Sequence, residues 1–393
     1  MKNGVNFFGP YETSDSIGRV AALNIECLKS AKISHNTYLL PRPGPSKSID
    51  YGVIDDVLIS SLSYKINIFN FNARRVPLYF SRVGDKSLKG YYNIGLWVHE
   101  MKKIPYQWAM QLRYFDEVWV PSSICQEAIS RYSNKPVVKI PYPIESNPLT
   151  ARILARHNGA KFPDFNFLTI FDVISDAERK NPLFAIRAFL NMAKSFKSAK
   201  LIVKARNVDH DPTLAKILKE IARKNNNIEL IDSYQDDKEL DKLYGKADAY
   251  ISFHRAEGFG LTISDAISRG IPVIVTGYSG NMEFCDPSDT RLVSYDLFPV
   301  GHNRPRYRSD DLWAEPDMKD AILALEDMVS NHPLWLKKAL HSHNRIRRDF
   351  SIKKIGELMR ERIELIGNNF FFYDDMSKRK IDFDFGISKT YGF

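Results

Sequence analysis

What most limits the folds open to this chain is a pattern that runs twice, in which short apolar runs of strand length alternate with longer segments of helical spacing. In the front part, Met1–Phe8 reads as a strand, Gly9–Gly18 as a loop and Arg19–Ala31 as a helix. Tyr92–Val98 reads as a strand, Ile104–Tyr114 as a helix and Glu117–Val120 as a strand. Ser122–Tyr132 then reads as a helix with Ser122 or Ser123 placed to cap it, and Val137–Ile140 as a last strand. Pro141-Tyr-Pro143 and Ser146-Asn-Pro148 interrupt both periodicities, so a boundary is expected there. The pattern then restarts: strand Asn166–Phe171, helix Asn181–Met192, strand Lys200–Lys204, helix Leu214–Lys224 and strand Ile228–Ile231. At 393 residues the chain is too long for one compact core. The expected class is α/β, with two doubly wound parallel sheets.

One loop in the second half carries the most chemistry. In Phe253-His-Arg-Ala-Glu257-Gly-Phe-Gly-Leu261-Thr-Ile-Ser-Asp265, a glycine turn with a carboxylate on either side joins an apolar strand, Ala249–His254, to a helical segment, Thr262–Arg269. Gly270 stops that helix and the strand Ile271–Val275 follows. Gly258 and Gly260 permit backbone geometry that other residues avoid and allow a ligand close to the main chain. Unpaired amides at a helix start, with the helix dipole behind them, favour an anion such as a diphosphate. Asp265 falls in the first predicted turn and Glu257 precedes the loop, so both can face one pocket and accept hydrogen bonds from sugar or ribose hydroxyls. An ordinary strand-to-helix turn with acids partnering the dipole fits the same residues, and the loop by itself leaves both readings open.

The Glu257-Gly-Phe-Gly-Leu run with an acid eight residues after Glu257, followed by Gly270-Ile-Pro-Val-Ile-Val-Thr276 and Ser279-Gly-Asn-Met-Glu-Phe284, resembles the signature of the retaining glycosyltransferases of family 4. The family motif is Glu, seven residues, Glu; here Asp265 stands at the second acid, one methylene shorter. Glu178-Arg-Lys-Asn-Pro-Leu183, Trp313-Ala-Glu-Pro-Asp317 and Phe115-Asp-Glu-Val-Trp-Val-Pro-Ser122 resemble a branch of the same enzymes. The resemblance implies a GT-B fold, two Rossmann-like domains facing a cleft. Residues 1–145 would form the acceptor side, 146–365 the nucleotide-sugar side, and 366–393 would return to the front domain. It also implies metal-independent transfer of a sugar, with retention, from a UDP- or GDP-sugar to the hydroxyl of a glycan or lipid-linked glycan, in bacterial-type surface polysaccharide or glycoconjugate synthesis. No cofactor and no metal ligands are expected.

Site residues follow from both lines. Arg179 and Lys180 stand where the helix at Asn181 is expected to begin, and cations there oppose the dipole, so an anionic ligand would account for them. A basic pair on the surface would account for them too. By resemblance Lys180 holds the donor diphosphate with Arg179 beside it. Many relatives add a Gly-Arg pair after the preceding strand, whereas this chain has Asp172-Val-Ile-Ser175. His99 and Glu100 end a strand, where α/β sheets place ligand contacts. The resemblance makes His99, Glu100 and Glu257 the catalytic candidates. Gly258, Phe259, Gly260, Leu261 and Asp265 become donor-binding candidates, along with Gly9, Gly18 and Arg19 from the loop entering the first helix. Glu257 would anchor sugar hydroxyls rather than attack carbon.

Composition narrows the alternatives. The net charge of +9 leans to the front, where residues 1–150 hold 18 Lys and Arg against 12 Asp and Glu. A basic face could meet anionic lipid, so membrane-surface contact stays open. No finger, helix-turn-helix or ribonucleoprotein motif is present, and no nucleic-acid partner is expected. Cys27, Cys125 and Cys285 lack paired spacing and should be reduced and buried. Without an apolar run of spanning length or a signal pattern, the expected location is cytoplasmic, peripheral at the inner face of a membrane if lipid is bound. Leu334–Ile366 reads as largely helical, and the aromatic and basic tail, Asn369-Phe-Phe-Phe-Tyr373 with Lys378-Arg-Lys380, could dock on the front domain or touch lipid. A catalytically degenerate protein of the same fold, acting as a binding or scaffold subunit, is the competing reading, kept open by Asp265 and the missing Gly-Arg pair.

Overall fold

The computed structural model describes residues 4–13, 15–40, 54, 56–83, 87–302 and 307–378. A first sheet contains β1 (Val5–Gly9), β2 (His35–Leu39), β3 (Ile66–Phe69), β4 (Tyr92–Leu96), β5 (Glu117–Val120) and β6 (Val137–Lys139), in the spatial order β2-β1-β3-β4-β5-β6. A second contains β7 (Phe165–Asp172), β8 (Ala199–Arg206), β9 (Ile228–Ile231), β10 (Ala249–Ser252), β11 (Val273–Thr276) and β12 (Arg291–Val293), in the order β12-β11-β10-β7-β8-β9. All pairings within both sheets are parallel. Parallel sheets are covered on both faces, which is why β1, β3 and β5 are buried throughout and mostly apolar, each with a single buried polar side chain, Asn6, Asn67 and Glu117. The direction of winding reverses between β1 and β3 in one sheet and between β7 and β10 in the other, and beyond the carboxyl ends of such strands an α/β sheet leaves a crevice.

Each sheet has its own core. Phe8 stacks between Tyr38 and Phe69 at 4.7 and 4.8 Å between ring centroids. Three buried asparagines, Asn6, Asn67 and Asn93, stand in register on β1, β3 and β4 and bond side chain to side chain at 2.8 and 2.9 Å, which satisfies most of their amide groups and leaves Asn6 Oδ1 without a partner. In the second half Phe167, Phe184, Phe189 and Phe253 pack under β7 and β10. Cys27, Cys125 and Cys285 are free and buried, and burial pushes each thiol up to about 12.

The chain returns to the front half at a break between two helices. The helical run expected over Leu334–Ile366 is two helices, His332–Asp349 and Ile352–Lys378. Phe350, at the break, packs with Phe259 and Phe284 in the second half, whereas Ile355, Met359, Ile363 and Ile366 pack with Phe7, Ala21, Ile25 and Leu28 in the first. Gly356 lies against the Cys27 carbonyl, where a Cβ would come within 2.5 Å. Arg362 pairs with Glu117, a fully buried carboxylate that also accepts from the Tyr92 hydroxyl. The return to the front half thus starts near Ile352, ahead of residue 366. The side chains of Asn369–Tyr373 and Lys378–Lys380 lie outside the described residues. Among the described residues no helix is long and apolar enough to cross a membrane.

Several elements escape the periodicity. β2 is half-exposed and opens His35-Asn36-Thr37, so it shows no apolar run, and β3 spans four residues. An antiparallel hairpin, β13 (Tyr295–Pro299) with β14 (Leu312–Pro316), is added to the second half. Its residues Val300, Tyr307, Trp313 and Ala314 join the apolar core of the front half. The helix expected over Ile104–Tyr114 is one α-helical turn, Tyr106–Ala109, tightening into a 3-10 turn, Met110–Tyr114.

Candidate active site

Two loops at the carboxyl ends of β10 and β11 build the floor of the cleft. The Glu257 amide donates to Ser279 Oγ (2.7 Å) and its carbonyl accepts from the Gly280 amide (2.8 Å). A Cβ on Gly280 would lie 2.3 Å from the Gly258 carbonyl, so only glycine fits between the loops. The front half then grips the same turn. The Ser122 hydroxyl donates to the Gly258 carbonyl at 2.6 Å, and a Cβ on Gly258 would meet Val98 Cγ2 at 2.3 Å. The bare Cα of Gly258 admits the front half. Ser122 stands at the N-cap of the following helix but makes no side-chain capping bond; its hydroxyl points across the cleft instead. Gly260, at φ +99°, starts the helix Leu261–Ser268 in a conformation that penalises a Cβ. Phe259 turns away into the core against Tyr142, Phe284 and Phe350, and Leu261 packs beside that cluster.

Arg179 and Lys180 close a short helix, Ala177–Lys180, and do not open the next one; Asn181, at φ +58°, separates it from Pro182–Met192. At a carboxyl end the dipole welcomes cations, so the dipole argument for a ligand lapses. Burial replaces it. Arg179 is 2% exposed and donates to the carbonyls of Ala256 (2.5 Å) and Ser175 (2.7 Å), which excludes a basic pair on the surface. Its two terminal nitrogens lie 3.6 Å from Glu100 and 3.4 Å from Glu257. Lys180 Nζ bonds directly to Glu257 Oε1. Burial would raise the Glu257 carboxyl, but Lys180, Arg179 and His254 hold it down at about 2, so it is ionised at neutral pH. Burial also lowers Lys180, against the pull of Glu257.

From the front half, Glu100 reaches this group with His99 beside it. The Tyr307 hydroxyl of the hairpin segment donates to Glu100 at 3.2 Å, and His99 Nδ1 lies 3.9 Å from the same carboxylate. His99 is fully buried, with Nε2 against the Lys103 carbonyl at 2.7 Å and Nδ1 lacking a hydrogen-bond partner. Burial lowers its basicity, so the ring is neutral at pH 7. His99, Glu100, Arg179, Glu257 and Lys180 therefore form one continuous polar chain across the cleft.

Arg19 makes the second crossing. From the helix Ser16–Ser30 its guanidinium meets both oxygens of Asp265, at 2.6 and 2.7 Å, and also Glu145 at 2.5 and 3.1 Å. Asp265 is the fifth residue of its helix, Leu261–Ser268, and so stands just past the first turn in which it was expected. The approach loop is self-satisfied. Asp15 accepts from the amides of Ile17 and Gly18, and Gly18 sits so tightly against Thr13 that a Cβ would fall 2.1 Å from Thr13 Oγ1. Gly9 ends β1 close to Ala21 and Asn70. Tyr250 is fully buried, and burial pushes its phenol up. Sequence reasoning missed Glu145, Tyr307 and His254. His254 adjoins the motif and Ser252, which it contacts at 3.0 Å; Glu145 and Tyr307 carry no local signal. Among the described residues no group of three or more His, Cys, Asp or Glu is placed to hold a metal ion.

A family model for the family 4 glycosyltransferases in conflict systems matches residues 126–351, more than half of the chain. Comparison with curated proteins finds no match. Among solved structures, a glycosyltransferase from Rickettsia africae is similar at 15% identity and a TM-score of 0.67, over 94% of this chain and 99% of that one. Anabaena HepE, solved with UDP and glucose, is similar at 12% identity and 0.65, over 92% and 100%. The pneumococcal O-GlcNAc transferase GtfA, solved with UDP and GlcNAc, is similar at 16% identity and 0.57, over 79% of this chain. This chain spans 59% of the length of GtfA. At these identities the likeness is one of fold, the GT-B arrangement of two facing doubly wound sheets.

Proposed function

Because the chain belongs to the family 4 glycosyltransferases of conflict systems, and so is a glycosyltransferase of GT-B fold, we propose that it moves a sugar from a nucleoside diphosphate sugar to a hydroxyl acceptor with retention and without a metal. The observation that carries this reading is the buried Arg179–Glu257–Lys180 group at the winding reversal of the second sheet, facing His99 and Glu100. UDP is the first base to try, since HepE and GtfA were solved with it; GDP is the second.

Lys180 and Arg179 offset the charge that grows on the leaving diphosphate as the bond from the anomeric carbon breaks. The acceptor oxygen forms its new bond on the same face and gives its proton to the departing diphosphate oxygen. Glu257, ionised, accepts from sugar hydroxyls, and the neutral His99 offers Nδ1 to the same sugar. Asp265 takes the ribose. A glycan or lipid-linked glycan of a surface polysaccharide or glycoconjugate is the proposed acceptor, and contact of the basic front half with the inner face of a membrane would bring the two together.

Calorimetric titration with UDP, GDP and ADP in excess chelator tests this. Binding of one nucleotide, weakened about tenfold or more by Lys180→Ala, is expected. Absence of binding by all three, with the protein folded, would shift the reading to the scaffold subunit.

A further inference from the structure

Every cation assigned to the donor already has a carboxylate partner inside the site. Lys180 is bound to Glu257, Arg179 lies between Glu257 and Glu100, and Arg19 is held in a two-bond fork by Asp265 with Glu145 behind it. A free anion entering this cleft would take a cation from its acid and leave that acid in a pocket where water cannot fully replace the lost bond. Asp265 is 10% exposed and Glu257 9%. A ligand that brings hydroxyl donors together with its negative charge repairs the loss, because the hydroxyls fall to the abandoned carboxylates.

We propose that Asp265, with Glu145 in support, guards Arg19 so that the donor site rejects phosphate-type anions and admits only ligands that carry a diphosphate and a polyol in one molecule. This rests on the nucleotide-sugar reading and deepens it from site to selectivity. The guard is an exchange of partners: Arg19 passes from Asp265 to the diphosphate while Asp265 passes from Arg19 to hydroxyls, so no charge is left alone in either state. The two supports differ in kind. Asp265 is nearly enclosed and belongs to the second half, whereas Glu145, 45% exposed, belongs to the linker and holds Arg19 from the solvent side. The guard at Asp265 is therefore the strong one and that at Glu145 the weak one.

Pyrophosphate is the decisive probe, because it carries the charge without hydroxyls and can be read whichever base the donor has. Titration of the full chain with pyrophosphate and with UDP, in chelator, is compared for wild type, Asp265→Asn and Glu145→Gln, with thermal unfolding as the folding control. The expected result is that Asp265→Asn raises pyrophosphate affinity about tenfold and lowers that for UDP, and that Glu145→Gln raises pyrophosphate affinity by about twofold. Pyrophosphate affinity unchanged or lowered in folded Asp265→Asn would overturn the proposal. Should wild type ignore UDP while Asp265→Asn still gains pyrophosphate, the guard stands and the nucleotide reading is the one that falls.

Discussion

The Lys180–Glu257 pair and the Arg19–Asp265 pair join similar charges in different surroundings. The first lies within the second half, its members 16% and 9% exposed, with Arg179 as a second, more deeply buried cation. The second spans the two halves, with Arg19 33% exposed and Glu145 in solvent beside it. A buried acid is held down by the cations enclosed with it, so the first pair helps hold the second half together. The second pair is reachable by water and salt, so it is a contact the protein can exchange. A site that must stay assembled yet release its cations to a ligand benefits from having one of each.

Deleting the shared acid should separate them most sharply. Glu257→Ala leaves Arg179 and Lys180 as neighbouring buried cations with Glu100 as the remaining close acid, and should cost about 3–5 kcal/mol in denaturant unfolding. Acid is the next lever. The Glu257 pKa of about 2 lies below the ordinary carboxylate value, so its contribution is complete above the unfolded-state pKa near 4.3 and is lost as pH falls toward the folded value. The gap in unfolding midpoint between wild type and Glu257→Gln should therefore narrow from roughly pH 6 to about pH 3; a constant gap would show that the carboxylate is not ionised in the fold. Arg19→Ala should cost about 1 kcal/mol at low salt and approach zero near 1 M salt, whereas the effect of Lys180→Ala should persist there. Equal salt dependence of the two would erase the contrast. Glu145→Gln should be smallest, below about 0.5 kcal/mol, because half of that carboxylate already faces water.

Much of this architecture was legible in the sequence. Glu117–Val120 and Ile228–Ile231 are strands at the expected residues, and the Glu257 loop does join a strand to a helix near the winding reversal of its sheet. Apolar period and glycine placement are local, and strands covered on both faces are mostly apolar. β2 and the hairpin β13–β14 escaped because exposed, mixed-polarity strands have no such signature. The same locality misplaced the cations. Arg179 read as the start of a helix, and only the left-handed Asn181 shows that one helix ends there and another begins.

The sequence by itself determined two doubly wound halves, three reduced buried cysteines and the identity of nearly every charged group in the cleft. The tertiary structure alone decided which of those groups face each other: Ser122 on the Gly258 carbonyl, Tyr307 on Glu100, and Arg19 on an acid 246 residues away. Secondary structure is written in neighbours a few residues apart, whereas a charge finds its partner only after two sheets have folded and their carboxyl ends have been brought face to face.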